Sequence, residues 1–194
     1  MSNNSKTIRL MVFIALYAAL AIVLDYVKEV IPFTSLWANG GSIDISLIPL
    51  VFASIHLGWK WGVVTGLLQF VASIAIGATK LYFAPYSPVL GFLCDYIIPC
   101  VIMGLASFMM SRTKRGANVV KLEIGIVITM AIRILSQVVS GVYCWVEASD
   151  IGTAAAWAFS AQYNLSYGVP TLIMLVIVMP LLYTAFEKRI YKNL

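Results

Sequence analysis

Of the 194 residues, 61% are hydrophobic and only 11% charged, too little polar surface to coat a soluble globule, which excludes the soluble enzyme and binding-domain classes. The net charge of +5 comes with no nucleic-acid-binding motif, and its placement along the chain speaks of orientation in a membrane instead. Three cysteines, Cys94, Cys100 and Cys144, lie in apolar runs at no metal-ligand spacing and read as packing residues.

Six apolar runs of spanning or near-spanning length follow one another at about residues 7–31, 44–57, 61–78, 88–110, 119–146 and 160–186. They predict an all-α integral membrane protein, a compact bundle of six transmembrane helices forming a single domain over residues 1–194. The first run follows Lys6 and Arg9, but it is too long for a signal peptide and lacks a small-residue cleavage site, so it is taken as a true span. The second is short and is expected to be tilted or partly re-entrant. It is preceded by Asn39-Gly40-Gly41-Ser42, a turn signal. With the N-terminus in the cytoplasm, Lys6, Arg9, Lys60, Arg112, Lys114, Arg115, Lys121, Lys188, Arg189 and Lys192 all fall inside, and both termini are cytoplasmic. The loop carrying Glu147 and Asp150 then faces the exterior. No internal repeat is visible, which disfavours a secondary transporter built by duplication.

Asp95, in Leu93-Cys94-Asp95-Tyr96, lies well inside the fourth run, where a carboxylate costs a few kcal/mol unless something needs it. Two roles fit it: a ligand contact, or an internal ion pair with Arg133, the other ionisable residue deep in a span. In the fifth run Arg133, Gln137, Gly141 and Trp145 recur every four residues, which on an α-helix makes one slowly drifting stripe. Gly141 offers a flat spot for a planar ligand or, equally, for ordinary helix packing. In the sixth run Ser160, Tyr163, Asn164 and Tyr167 share a face. At 1.5 Å per residue Asp95 and Gln137 lie about 10 Å below the outer surface and Asn164 about one turn in, so polar and aromatic groups of three helices converge at one level. Such a pocket suits a flat, cationic or amine-bearing aromatic molecule. Tyr82, Tyr86 and Trp37 in outer loops fit a lid over it, or ordinary interfacial aromatics. A phosphate-binding loop, H-E-x-x-H and G-x-S-x-G are all absent from the sequence, so neither ATP hydrolysis nor a familiar hydrolase is encoded. The sole histidine, His56, is expected at the surface at the cytoplasmic end of the second run.

These residues carry a family resemblance. The chain resembles the substrate-binding S component of energy-coupling factor (ECF) vitamin transporters, and among these it is similar to the thiamine-specific ThiT family. The likeness rests on the size, the six spans, Gly40-Gly41-Ser42 leading into Ile48-Pro49, the Leu93-Cys94-Asp95-Tyr96 segment, the Gly141–Trp145 stretch, and Asn164. Ala15-Leu16-Tyr17-Ala18-Ala19 in the first run matches the A-x-x-x-A signature by which S components dock on the coupling subunit, where small residues four apart let helices approach. The resemblance implies that Asp95 holds the aminopyrimidine of thiamine, that Trp145 stacks on a ring, and that Tyr96, Gly141 and Asn164 complete the pocket. Tyr163, Tyr86, Trp37 and Gln137 join the candidate site, and Ala15 and Ala19 are the candidate docking residues. Gln137 stands where the family carries a histidine, and Phe159 where a tyrosine is expected. Implied partners are thiamine or a similar amine-bearing aromatic molecule, the ECF transmembrane coupling subunit, two ATPase subunits and the lipid bilayer, with no nucleic acid. The implied location is the bacterial plasma membrane, with no cofactor and no catalysis. The alternatives are an S component for another small vitamin or for a pyrimidine precursor, a stand-alone ion-coupled carrier, and a membrane enzyme or assembly factor.

Overall fold

The computed structural model describes residues 3–30, 41–77, 81–110 and 118–192. Regular structure there is helical: α1 (Asn3–Val30), α2 (Leu47–Leu57), α3 (Trp59–Ala75), α4 (Pro88–Phe92), α5 (Ile98–Gly104), α6 (Asn118–Ser140) and α7 (Ala154–Lys192). A π-helical turn, Leu93–Ile97, joins α4 to α5, and a second, Gly141–Trp145, extends α6. Three helical stretches, Asn4–Lys28, Val119–Trp145 and Ala154–Glu187, are long and apolar enough to cross a bilayer, as expected of a multi-pass membrane protein. The second run is short, as its sequence suggests: the 11 residues of α2 rise only about 16 Å, half a hydrocarbon core.

Small residues set how these helices meet. A Cβ added at Gly62 would sit 2.5 Å from both the Gly104 carbonyl oxygen and Ser54 Cβ, and one at Gly66 would sit 2.7 Å from the Cys100 carbonyl oxygen. Only glycine therefore lets α3 lie directly against the backbones of α2 and α5. The core gathers where α2, α5, α6 and α7 converge, around Val51, Met103, Leu122, Ile126, Met130, Leu175, Met179 and Tyr183, all fully buried. Helix α1 turns Ile14, Ala18 and Ala21 inward. Its opposite face, with Met11, Val12, Leu16 and Val23, is exposed.

The principal ion-pair network ties the helices together through Asp44, just ahead of α2. Arg133 on α6 meets Asp44 at 2.7 Å, Lys28 on α1 lies 3.6 Å from it, and Lys28 also pairs with Asp25 at 2.5 Å. The Asp44 N–H donates to Thr171 Oγ1 on α7 at 3.0 Å, and Ser46 Oγ donates to its carboxylate at 2.5 Å. Arg133 therefore belongs to Asp44 and not to Asp95, which corrects the ion-pair alternative drawn from sequence. His56 is corrected as well. Its Nδ1 hydrogen-bonds the Tyr17 hydroxyl at 2.8 Å and its ring packs edge-on against Phe13, so it is part-buried between α1 and α2.

Arg133→Met leaves Asp44 with Lys28 as its remaining cation and is expected to destabilise the protein by about 3–5 kcal/mol, the range for breaking a buried pair from one side. The thermal midpoint in detergent measures this. Asp44→Asn combined with Arg133→Met should lose clearly less than the two single losses added, and strict additivity would mean the pair contributes nothing.

Candidate substrate-binding site

The position of Asp95 follows from a proline four residues on. Pro99 has no N–H, so the Asp95 carbonyl lacks its α-helical donor. The chain responds by shifting to i→i+5 pairing, and the Ile98 N–H bonds the Leu93 carbonyl. That shift strands the next carbonyl. Cys94 would accept from Ile98, now committed, or from Pro99, which has nothing to donate. Ser136 on α6 supplies the bond, with Oγ 3.0 Å from the Cys94 oxygen. π-Turns of this kind are frequent at functional sites because they push a side chain out of helical register.

The displaced side chain is the carboxylate itself. Asp95 Oδ2 accepts from Ser140 Oγ at 2.7 Å and from Trp145 Nε1 at 2.9 Å. Its other oxygen, Oδ1, takes no hydrogen bond among the described residues, and no polar side-chain atom there is both sealed from solvent and unpaired. Oδ1 is therefore accessible, and Asp95 lines a cavity shared with Tyr96, Phe70, Gln69, Cys100, Asp44 and Arg133.

On α6 the expected stripe of four is bent. The α-helix runs to Ser140, and the π-turn Gly141–Trp145, with more residues per turn, reverses the drift and brings the Trp145 indole back onto Asp95. Arg133 goes to Asp44, and Gly141 lies against Ser160, whose Cβ would be 2.9 Å from an added Cβ. Gln137 is half-buried and is not among the cavity-lining residues. The residues that reach across are Arg133, Ser136 and Ser140, spaced i, i+3, i+7. Sequence reasoning passed over both serines, and that helical spacing from an intramembrane arginine was the signal that points to them.

Helix α7 contributes a hydrogen-bonded ladder. Asn164 Nδ2 donates to the Ser160 carbonyl at 2.9 Å, the Tyr167 hydroxyl donates to Asn164 Oδ1, and Ser160 Oγ donates to the Val138 carbonyl at 2.9 Å. Asn164 is thus buried and bonded within its own helix. Tyr163 stacks on Phe159 and meets Tyr167 edge-on. In the loop ahead of α4 the Tyr82 N–H donates to the Tyr96 hydroxyl at 2.8 Å and the Tyr86 N–H to the Cys144 carbonyl at 3.4 Å. The Tyr82 and Tyr86 rings are exposed. Trp37 lies outside the described residues.

A family model described as thiamine transporter protein matches residues 11–191. The chain belongs to the thiamine transporter family. ThiT, a thiamine transporter of Bacillus subtilis (strain 168), is 32% identical over 188 residues, 93% of each chain. Family membership makes the chain a transporter and not an enzyme, and the matched stretch contains both π-turns and all the residues brought together around Asp95.

Within this thiamine transporter family chain the cavity is electrically uneven. Lys28 and Arg133 neutralise Asp25 and Asp44, whereas Asp95 has only neutral donors among the described residues. Three carboxylates against two cations leave one negative charge, and it is carried by the group with an open oxygen.

Gly141→Ala provides a check on the crowding at Ser160. In an ordinary helix the change gains about 0.5–1 kcal/mol. Here the methyl displaces Ser160 and with it the Asn164 ladder, so a loss of about 1–3 kcal/mol in stability is expected. A raised thermal midpoint would mean that Ser160 moves aside freely.

Proposed function

We propose that this chain captures thiamine, or a closely related amine-bearing aromatic molecule, outside the cell and delivers it inward as the S component of an ECF transporter. In this proposal the chain is one domain of six spans with both termini cytoplasmic. A transmembrane coupling subunit and two ATPase subunits supply the energy. The observation that carries the ligand assignment is Asp95: a carboxylate with one accessible oxygen and no cationic partner among the described residues, in a cavity also lined by the rings of Tyr96 and Phe70. Thiamine brings what is missing, a positive charge on one aromatic ring and an amino group on the other. The carboxylate accepts from the amino group, and aromatic rings stack and supply cation–π attraction. Tyr96, Trp145, Gly141, Asn164 and Tyr163 remain the proposed pocket, with Gln137 at its margin and Tyr86 and Trp37 at its mouth. Ala15 and Ala19 lie on the exposed face of α1, where small residues give a partner helix close access. This placement supports their docking role.

Equilibrium binding to the purified protein tests the pocket. Asp95→Asn should weaken thiamine binding by about 1.5–3 kcal/mol, because a charge-assisted hydrogen bond becomes a neutral one. Trp145→Ala should cost about 1–3 kcal/mol through the lost stacking surface. Unchanged affinity in both would place the ligand elsewhere.

Ala15→Trp or Ala19→Trp tests the energy source. Binding should survive in detergent while ATP-driven uptake in cells carrying the ECF subunits is lost. Uptake that persists in cells lacking those subunits would instead establish a carrier driven by an ion gradient.

A further inference from the structure

We infer that Ser140 is a positioning residue that sets the site's selectivity for amine-bearing ligands, acting through Asp95; this rests on the thiamine proposal above. Serine in a helix commonly returns its hydroxyl proton to a carbonyl one turn back. Ser136 does so in part, with Oγ 2.8 Å from the Arg133 carbonyl, and Thr129 does so with Gly125. Ser140 instead crosses to another helix and donates to Asp95 Oδ2 at 2.7 Å. It is fully buried, at the last residue of α6 before the π-turn.

The two donors on Oδ2 are unequal in rigidity. Trp145 is 42% exposed, at the open end of its helix. Ser140, fixed in the packed interior, is the anchor. A carboxylate turns readily about its last torsion, and its two oxygens are otherwise equivalent. Anchoring Oδ2 removes that freedom and aims Oδ1 into the cavity before any ligand arrives. A ligand amino group then meets a pre-aimed acceptor without ordering it first. An analogue with oxygen in place of that amino group presents lone pairs to the same fixed oxygen and is rejected, since a site built around one hydrogen bond discriminates against a molecule that cannot make it. With the anchor removed, Asp95 can rotate away from the mismatch, and the discrimination falls.

The test is titration of the full-length, detergent-solubilised protein, followed by tryptophan fluorescence, with two probes: thiamine and its analogue carrying oxygen in place of the pyrimidine amino group. Wild type should favour thiamine by at least about tenfold, the worth of one charge-assisted hydrogen bond. Ser140→Ala should cut that preference severalfold. Ser140→Thr, which keeps the hydroxyl, should hold it, and Ser140→Cys, a weak donor, should fall between. If Ser140→Ala does not fold, the Thr and Cys variants decide on their own. The inference is overturned if Ser140→Ala and Ser140→Cys keep the wild-type ratio, if Ser140→Thr loses it as fully as they do, or if they weaken both probes equally, which is what a purely structural serine would do. Failure of the wild type to bind thiamine at all overturns the ligand proposal itself, and the inference with it. A wild type that binds and discriminates, beside a Ser140→Ala variant that discriminates equally well, overturns the role of the serine alone.

Discussion

Inside a bilayer no water is at hand to take up a spare backbone carbonyl, so every gap in a helix's hydrogen bonding must be filled by the protein. Pro99 opens such a gap in the rod formed by α4 and α5, and much of the site follows from how it is filled. The chain shifts to π pairing at Leu93–Ile97, Ser136 completes the Cys94 carbonyl, and the shifted turn places Asp95 where Ser140 and Trp145 can reach it. A straight α-helix would need neither serine and would hold Asp95 in a different register. The proline makes the site, and α6 is the helix that accommodates it.

Two carboxylates, one buried and one half-buried, show how differently the same group can be stabilised. Asp44 is held by two cations, a hydroxyl and, through its own N–H, a threonine on α7. Its charge is matched in place, so it fastens four chain segments and has no need of a ligand. Asp95 sits in the same cavity with neutral donors on one oxygen and nothing on the other. Its negative charge is only partly compensated, and that deficit is the kind a cationic or amine-bearing guest makes good. In the proposed function the structural and the recognition roles fall on separate carboxylates, so Arg133 can line the cavity without competing for the ligand's place on Asp95.

The parts of this organisation legible in the sequence are those that composition and rarity expose. Apolar runs announce helices because a spanning segment has no other way to satisfy its backbone, and the shortness of the second run survives as the 11 residues of α2. Asp95 stands out because a carboxylate in such a run is rare. The partner of Arg133 was not legible: Asp44 lies 89 residues away at the edge of a run, and no local periodicity encodes a pairing between segments that only packing brings together. His56 was misplaced because position along a run gives depth but not the neighbours beside it, here Phe13 and Tyr17. The stripe from Arg133 to Trp145 does not keep one path, since an exact four-residue repeat presumes an unbroken α-helix: Arg133 meets Asp44, Gly141 lies against Ser160, and Trp145 reaches Asp95 only through the π-turn. Pro99, four residues after Asp95, was a visible warning that its own helix departs from that geometry. Ser136 and Ser140 carried a fainter mark, their i+3 and i+7 spacing from Arg133, which puts them on one face but does not say which atom that face meets.

Helix α1 joins the two ends of this system. Its exposed face, on which Ala15 and Ala19 lie, has no cover within the described chain, while Lys28 near its far end pairs with Asp44 at the wall of the cavity. About 20 Å of continuous helix separates Ala15 from Lys28, and a hydrogen-bonded helix shifts or tilts as a unit more readily than it bends. A contact made on the outer face and a charge held at the cavity wall are thus borne by one rigid body. Any tilt of α1 large enough to seat a partner changes the separation of Lys28 from Asp44, already 3.6 Å, and so changes how completely Asp44 is neutralised. Asp44 is shared with Arg133, so its charge balance bears on the floor of the cavity that Asp95 completes.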